Sequence, residues 1–580
     1  MRLINIKDMK LKKLNILIVS MAAAMMIPIG CKKGFLDQTS TSQFTADSYF
    51  QKASDGIALV NAIYDTYQNA DLLKKSIWYY ANFQTHDFYN WGADRFYNNY
   101  SIPVDFAPIE VFWARAYVGI ARANSALPII AQMKAKGVLT AALADRLTGE
   151  IYYLRGMTYY YLAASFGGVP LELKTGANAG LTARSSQDDV FKQVASDLQT
   201  AAGLLPWKED LAATDLGRAT KGAAYAYLGA AQMWLKDYKD ALTNFNMLAG
   251  HYTLLPKYVD VNEYDHQNSD ESVFEVQFEV AGTQSWGAGN EVAWISDFSW
   301  PEEVSNFGYD YANPGLYYSY QAGDTRKLAT VIGPGDQNVS PGIIAKGGIA
   351  SYPLVLAGFN STPKDARYVG ADGKIINTCG TIASPWYGSD KGRTGFYCSK
   401  MWRDPTLDGN SGTSTIFGAQ NQILLRYAEV LLDKAECQIQ TGDVSGGMAT
   451  LKVVRDRAFG GAAPAVMQDG ANFDGSAATP ITDPLQMVYS EYRHELSGEY
   501  SVFYNLRRAG VAAAFIKKAY GTVDNSTNPI ANPNKLDKSN EGGIHGLYNT
   551  SLPTGRDVYP IPQVERGLNP NLTQNPAYGN

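Results

Sequence analysis

Apolar and polar positions divide the chain into three helical stretches and one region of a different character. Apolar residues recur at steps of three and four in residues 46–173, 187–255 and 420–520, the period of helices packed against other helices. The Gly-Gly-Val-Pro sequence at residues 167–170 is expected to end a helix. Residues 256–419 are punctuated by Gly, Pro, Asn and Ser, and short runs such as 272–280 alternate like strands. The sequence therefore predicts a mainly α fold, with a helical base at about 44–255 and 420–520 that carries a loop-rich insertion at about 256–419.

A repeat signal lies within the second helical stretch. The residues that match the W-x2-L-G and A-x3-F offsets of a tetratricopeptide repeat are Tyr225, Leu228, Gly229, Ala241 and Phe245. A weaker copy comprises Leu431, Ala435, residues 441–443 and Leu451. The pattern predicts two helical hairpins of the tetratricopeptide kind, and generic helical hairpins are the alternative.

The first thirty residues have the order of a bacterial export signal. Basic residues at 2–13 precede an apolar run at 14–29, which is too short for a convincing membrane span of about 20 residues. Cys31 directly follows the small residue Gly30, as at the cleavage point of a lipoprotein, where the thiol receives lipid. We expect a lipoprotein signal peptide at 1–30, a lipidated tether at 31–43 and the folded body at 44–580. A plain secretory signal with a nearby cysteine is the alternative.

Composition and charge exclude several classes of protein. Hydrophobic residues make up 46% and charged residues 18% of the chain, which excludes disorder, collagen and coiled coil. The net charge is -6, and residues 1–30 carry five Lys or Arg against one Asp, so the rest of the chain is more acidic still. An acidic body gives no electrostatic footprint for nucleic acid, so no nucleic-acid partner is expected.

The remaining cysteines fall into two groups. Cys379 and Cys398 lie in one loop-rich region, and whether they pair stays open. Cys437 lies on an apolar helix and is expected to be a buried free thiol.

The sequence predicts no catalytic residue, metal site or cofactor. Its five histidines lack metal-ligand spacing, and nucleophile elbows, Walker loops and Rossmann glycine patterns are missing. Glu491, Glu495 and Glu499 stripe a predicted helix and are interpreted as part of an ion-pair network. Carboxylate pairs of the kind that glycosidases use occur at 188–189 and 302–303, so a surface glycosidase stays a minor alternative.

The chain resembles the SusD/RagB family of Bacteroidetes nutrient-uptake lipoproteins, because its motifs follow one another in that family's order. The matching pieces are Cys31 with 35–37, residues 117–124, 154–155 with 168–170, 324–326, 426–432 with 435–436, 454–458, 559–562, Glu565, 569–572 and 574–576. The family's charged helix corresponds to residues 491–508, where Tyr492 replaces an Arg. Val502 and Asn505 replace an Arg and an Asp that would face one another, so we expect no unpaired charge and an unchanged fold.

The resemblance implies a mainly α, SusD-like fold in which tetratricopeptide-like helix pairs support a variable ligand surface. It also implies a protein that is anchored to outer-membrane lipid through acylated Cys31, faces the exterior and covers a SusC-like TonB-dependent transporter. The implied task is the capture of oligosaccharide or polysaccharide without bond cleavage. Binding of peptide or another nutrient in the same uptake role is the first alternative, and a protein-binding repeat scaffold is the second.

Two segments supply the groups that a glycan-binding surface needs. Flat rings stack on the apolar faces of sugars, while amides and charged groups bind the hydroxyls. Residues 87–100 and 286–300 combine both kinds of group in stretches that resemble loops, and relatives draw on the same two zones. The predicted ligand-binding residues are Tyr89, Trp91, Trp286, Asn290, Trp294 and Trp300.

Overall fold

Helices form most of the regular structure in a computed structural model of the protein. The structure describes residues 49–90, 94–176, 180–278, 299, 310–332, 336, 338–345, 396–401, 420–470, 479–520 and 552–579. The chain forms two compact units, residues 1–51 and 52–580, and every element described below belongs to the second unit. The predicted signal peptide, Cys31 and the predicted tether lie outside the described residues.

The α-helices occur throughout the described part of the chain. In chain order they are α1 (Ala53–Tyr64), α2 (Tyr79–Phe83), α3 (Ala107–Ala135), α4 (Ala141–Phe166), α5 (Gln187–Leu204), α6 (Lys221–Trp234), α7 (Tyr238–Asn246), α8 (Pro314–Ser319), α9 (Arg326–Thr330), α10 (Pro341–Ala345), α11 (Tyr427–Gln440), α12 (Val444–Ala458), α13 (Pro484–Leu496), α14 (Val502–Ala509), α15 (Ala512–Tyr520) and α16 (Gln563–Leu568). A π-helix, Asp71–Trp78, leads directly into α2. No helix in these described ranges is both long enough and apolar enough to cross a membrane.

Local sequence determines where the long helices begin and end. The side chains of Thr140, Ser186 and Thr220 each accept a hydrogen bond from a backbone N–H three residues later, at the starts of α4, α5 and α6. Helix α4 ends at Phe166, and Gly167 follows with φ 77°. The predicted helix stop at residues 167–170 is therefore confirmed.

Successive helices pack against one another, and both predicted hairpins are present. Helix α4 packs between α3 and α5, α6 packs against α5 and α7, and α11 packs against α12. Gly229 is required for the close approach of α6 and α7, because a Cβ atom there would lie 2.6 Å from Cε1 of Phe245. The tetratricopeptide character of these hairpins stays a prediction.

The strands described here form three two-stranded antiparallel sheets. The pairs are β1 (Phe88–Asn90) with β3 (Asp310–Ala312), β2 (Ser272–Val276) with β6 (Gln422–Arg426), and β4 (Val331–Ile332) with β5 (Tyr397–Cys398). The strand predicted within residues 272–280 is confirmed for its first five residues. Strand β1 lies in a segment predicted as a loop, so that part of the prediction is wrong.

Several of the motif residues that suggested the family are buried links between helices. Nε and Nη2 of Arg155 each donate to the Asp197 carboxylate at 2.7 Å, and Nη1 donates to Asn124. The hydroxyl of Tyr559 donates to the backbone oxygen of Ser76 at 2.6 Å. These motif residues therefore stabilise the helical base.

Two of the four cysteines are described, and both are buried free thiols. The expectation for Cys437 is confirmed. Cys398 forms no disulfide, so the pairing with Cys379 that the sequence left open is not made, and Cys379 itself lies outside the described residues.

Candidate functional site

Strands β1 and β3 bring the two predicted ligand segments together at their bases. Asn90 pairs with Asp310 in the register of this sheet, and Nδ2 of Asn90 donates to Oδ1 of Asp310 at 2.8 Å. Asn90 directly precedes Trp91, the first predicted tryptophan, and Asp310 begins the strand that follows the second segment. Two stretches about two hundred residues apart in sequence therefore meet at one sheet.

A buried ion pair anchors this junction, which we call the β1–β3 base (Lys74, Asn90, Asp310 and Ser299). Nζ of Lys74 lies 2.9 Å from Oδ2 of Asp310, and both side chains are almost fully buried. The Tyr79 hydroxyl lies 3.2 Å from each Asp310 oxygen. Lys74 projects from the π-helix, a geometry that is often found at functional sites.

Ser299 ties the second predicted segment to the same anchor. Its hydroxyl lies 3.5 Å from Nζ of Lys74 and 3.5 Å from Oδ2 of Asp310, at the outer limit of a hydrogen bond. Ser299 directly precedes Trp300 in sequence. Asn90 and Ser299, which directly precede the predicted ligand residues Trp91 and Trp300, thus both contact Asp310.

Tyr89 is a core residue in this structure. Its side chain is fully buried, and its ring centroid lies 5.6 Å from that of Tyr311, its partner across the β1–β3 sheet. Neighbouring rings of Tyr79, Phe83 and Tyr97 pack together under the same sheet. The structure gives Tyr89 a packing role, and its part in ligand binding stays a prediction.

Trp91, Trp286, Asn290, Trp294 and Trp300 lie outside the described residues.

Asp94 is the first described residue after Trp91, and it is nearly buried. Burial raises the pKa of its carboxyl to about 6, against the opposing effect of Lys75 and with a contribution from Asp310. A carboxyl with this pKa changes charge in a mildly acidic solution.

Sequence reasoning missed Lys74 and Asp310. In the sequence Leu-Leu-Lys-Lys-Ser-Ile-Trp at residues 72–78, apolar residues flank two lysines, which is a signal that one of them is buried and requires a partner. Asp310 gives no comparable local signal, since Lys74, Tyr79 and Asn90 are more than two hundred residues away in sequence.

The predicted stripe of Glu491, Glu495 and Glu499 is part of a buried ion-pair network. Glu495 contacts Arg326 at 2.8 Å and Arg426 at 2.5 Å, and it also pairs with Arg457. The other pairs are Arg326–Asp324, Arg326–Glu491, Arg455–Glu491, Arg426–Glu271, Arg457–Glu271, Arg426–Glu499 and Lys400–Glu499. These residues comprise five cations and five carboxylates, so the interpretation as an ion-pair network is confirmed.

The network controls the charge of its members. Burial alone would raise the pKa of Glu495, but Arg457, Arg426 and Arg326 together hold that pKa well below its usual value. Burial and the nearby arginines lower the pKa of His494 well below its usual value, so this imidazole is neutral at pH 7. These groups are held in fixed charge states between helices, which is a structural role.

The charged helix predicted at 491–508 is two helices in the structure. Helix α13 ends at Leu496, α14 begins at Val502, and Gly498 between them has φ 83°. The prediction of one continuous helix is wrong because a turn at 497–501 redirects the chain.

The sequence departure at Asn505 changes a second buried cluster. Nδ2 of Asn505 donates to Oε1 of Glu429 at 2.8 Å, and Glu429 makes no ion pair within the described ranges. Burial and the neighbouring Asp433 raise the pKa of Glu429, which favours its neutral form. The Tyr492 hydroxyl donates to Asp433 at 2.5 Å, in the place where the family has an arginine.

Among the residues that the structure describes, no group of three or more His, Cys, Asp and Glu is arranged to hold a metal ion.

Comparison with known protein families gives two matches. The profile of the SusD family matches residues 260–578. A second profile, described as "Starch-binding associating with outer membrane", matches residues 34–233.

Individual proteins show the same similarity. The SusD-like protein P2 of Formosa agariphila is 24% identical over 499 residues, which cover 83% of each chain. Among solved structures, surface glycan-binding protein A from Bacteroides fluxus has a TM-score of 0.65 at 18% identity, covering 90% of this chain and 99% of its own. Surface glycan-binding protein A from Bacteroides thetaiotaomicron in complex with laminarihexaose has a TM-score of 0.64 at 20% identity, with coverage of 90% and 99%. At these identities the structural similarity establishes a shared fold.

Proposed function

Because this chain belongs to the SusD family, whose profile matches more than half of it, we propose that it is a cell-surface lipoprotein that binds glycan. It captures oligosaccharide or polysaccharide and delivers it, uncleaved, to a SusC-like TonB-dependent transporter in the outer membrane. Peptide or another nutrient in the same uptake role is the alternative ligand.

The convergence of two aromatic-rich segments at the β1–β3 base is the observation that supports glycan binding. Asn90 and Ser299 both contact Asp310, and they directly precede Trp91 and Trp300. A ligand surface made from two distant segments needs such a fixed base, because rings must be held in place to stack on a sugar. The buried Lys74–Asp310 pair supplies one.

Related proteins support the choice of a glycan over other ligands. One structurally similar protein is described as a laminarin binding SusD-like protein, and another is in complex with laminarihexaose. We therefore infer a ligand that offers flat apolar sugar faces to Trp91, Trp286, Trp294 and Trp300, with Asn290 as a hydrogen-bonding group. The interaction requires no catalytic residue.

The proposed location depends on the N-terminal segment. Acylation of Cys31 would hold the protein at the outer membrane, since two or more acyl chains give stable anchoring. One of the matching family profiles is described as associating with the outer membrane, which supports this location. The transporter would then receive glycan from a lipoprotein that is held beside it.

Retardation of the full-length protein, solubilised in detergent, in gels that contain single polysaccharides tests the function. A panel with laminarin and starch, combined with chromatography of the reaction supernatant, separates binding from cleavage. We expect retardation by at least one polymer without released fragments. Release of sugars would instead identify a glycosidase, and no retardation by any polymer would contradict glycan binding.

Delivery to a transporter requires a separate test. Cross-linking of the tagged protein in its native outer membrane is expected to capture a TonB-dependent transporter. A Cys31→Ala variant is the matched control, because without the lipid anchor this cross-link should be lost. Equal cross-linking by both forms would contradict the role of the anchor.

A further inference from the structure

A cavity lies between α3, residues 170–176 with Gly180, and the C-terminal segment that includes α16. Its volume is about 540 Å³, which falls within the usual range for ligand sites. Its main lining residues are Trp113, Tyr117, Pro170, Glu172, Glu565 and Leu572. None of its lining residues belongs to the β1–β3 base.

The floor of this cavity is apolar. The rings of Trp113 and Tyr117 lie 5.0 Å apart at an angle of 37°. The Tyr117 hydroxyl donates to the backbone oxygen of Pro170 at 2.8 Å, so its polar atom is already engaged. Leu572 adds an aliphatic side chain to the lining. The floor therefore suits an apolar group and offers it few hydrogen bonds.

Most polar groups around the cavity are occupied by the protein itself. Nδ2 of Asn124 donates to the backbone oxygen of Glu172 at 2.8 Å, and Oδ1 of Asn124 accepts from Arg155. The Glu172 carboxylate accepts from the backbone N–H of Gly180 at 3.0 Å. Gly180 has φ 86°, a conformation that favours glycine and keeps this part of the rim free of a side chain.

The Glu565 carboxylate is different, because no hydrogen bond or ion pair engages it within the described part of the chain. Burial raises the pKa of Glu565, and the negative charge of Glu110 raises it further. A cation next to Glu565 would oppose both effects, because it stabilises the ionised carboxylate. The lining also includes Lys174, which is exposed.

We propose that this cavity binds a peptide segment in which a lysine or arginine lies next to an apolar side chain. The apolar side chain occupies the floor beside Trp113 and Tyr117, and the cation pairs with Glu565. Charge-assisted hydrogen bonds of this kind are stronger than neutral ones.

The geometry favours a peptide over a second sugar. Trp113 is only 3% exposed, so it offers no open ring face on which a pyranose could stack. The amide groups that would bind sugar hydroxyls, those of Asn124 and Asn569, already bind backbone oxygens. A single unengaged carboxylate beside an apolar floor matches one cation attached to one apolar group.

Calorimetry with the full-length protein in detergent tests this proposal. The probes are N-acetyl-Leu-Lys-amide and the matched neutral peptide N-acetyl-Leu-Gln-amide. We expect the lysine peptide to bind about tenfold more tightly than the glutamine peptide, a difference of about 1.4 kcal/mol. The unblocked dipeptide Leu-Lys distinguishes two sources of the peptide. Binding of Leu-Lys indicates a free nutrient peptide, whereas binding of the blocked lysine peptide alone indicates a segment within a longer chain.

Three variants make the test specific to the cavity. Glu565→Gln should remove the preference for lysine over glutamine, because it removes the charge without changing the size of the side chain. Ala121→Trp, at an exposed position in the lining, should fill the cavity and abolish binding of both peptides. Asp188→Asn, at an exposed carboxylate outside the lining, should change nothing.

Thermal unfolding by circular dichroism confirms that each variant is folded, and Ala114→Trp replaces Ala121→Trp if the latter is unfolded. Equal affinity for the two peptides, an unchanged preference in Glu565→Gln, or no binding of any peptide would each overturn the proposal. Glycan binding should be unchanged in all three variants, so the test of glycan binding and the test of peptide binding have independent outcomes.

Discussion

At the scale of single residues, three buried or half-buried carboxyl groups differ in what the protein provides for them. Within the residues that the structure describes, Asp310 has the Lys74 cation at 2.9 Å, Glu429 has the Asn505 amide at 2.8 Å and no cation, and the Glu565 carboxylate has neither kind of partner. A buried carboxyl that lacks a cation is neutralised or requires an external partner. Asp310 is therefore an anchor, Glu429 is a structural group whose neutral form is favoured, and Glu565 is a candidate ligand contact.

Asn505→Asp should destabilise the protein. The substitution replaces the amide that donates to Glu429 with a carboxylate, at a site where burial already raises the pKa of Glu429. We expect the free energy of unfolding at pH 7 to fall by about 1–3 kcal/mol, the usual cost of an unsatisfied buried polar group. Chemical denaturation measures this change.

The control is Asn246→Asp at an exposed position, which should change stability by no more than about 0.5 kcal/mol. Because the folded-state pKa of Glu429 is raised, its contribution to stability is present below its unfolded pKa and is lost as the pH rises. The cost of Asn505→Asp should therefore be smaller at pH 5 than at pH 8.

The double variant Val502→Arg/Asn505→Asp should affect stability rather than ligand binding. A change in ligand binding alone would show that the pair is not structural.

At the scale of secondary-structure elements, buried polar links as well as apolar packing join the helices. The network around Glu495 joins α9, β6, α12 and α13, and the Arg155–Asp197 pair joins α4 to α5. Each charge in such a network depends on its partners, since removing one leaves buried opposite charges only partly compensated.

Glu495→Gln should be strongly destabilising. It removes one of five buried carboxylates and leaves three arginine contacts without a full counter-charge, at an expected cost of about 3–5 kcal/mol. Asp145→Asn, which breaks the exposed pair with Lys134, is the control and should cost less than about 1 kcal/mol. Equal effects in denaturant unfolding would contradict a stabilising role of the Glu495 contacts.

Acid should weaken the same network. The arginines hold the pKa of Glu495 below its unfolded value, so its contribution to stability is present above the unfolded pKa and is lost as the pH falls towards the folded one. The difference in stability between the natural protein and Glu495→Gln should therefore shrink below about pH 4, near the pKa of an unfolded glutamate. A difference that does not change with pH would contradict the assignment.

Two glycine-to-alanine substitutions should have opposite effects. Gly229→Ala would place a Cβ atom 2.6 Å from Phe245, so we expect it to separate α6 from α7 and to cost about 1–3 kcal/mol. Gly203→Ala lies in α5 with nothing within 4 Å, and it should stabilise by up to about 1 kcal/mol through helix propensity. Thermal melting of both variants measures the contrast.

At the scale of the whole molecule, a helical base supports short sheets, one of which contains Asn90 and Asp310. Hydrophobic periodicity predicted the base, because packed helices impose a local period that is visible in sequence. Short motifs predicted two further features: the repeat offsets marked Gly229, and the Gly-Gly-Val-Pro sequence marked the helix stop after Phe166.

Other features depend on contacts between distant residues and could not be predicted. The β1–β3 base joins Lys74, Asn90 and Asp310, and nothing near Asp310 in sequence indicates its partners. The turn at 497–501 was missed because the charged pattern continues across it. The cavity beside Trp113 needs three separate segments, which no local pattern relates.

The central claim is that two aromatic segments which meet at the β1–β3 base form one glycan-binding surface. A double-mutant cycle with Trp91→Ala and Trp300→Ala, measured by calorimetry with laminarihexaose or another oligosaccharide of the polymer that retards the full-length protein, tests it most directly. Trp207→Ala, which removes a ring stacked on His251 elsewhere in the chain, is the matched control. We predict that each single variant weakens binding about tenfold and that the two changes are coupled by at least about 0.5 kcal/mol. Wild-type affinity in both single variants, with the fold intact, would contradict the account.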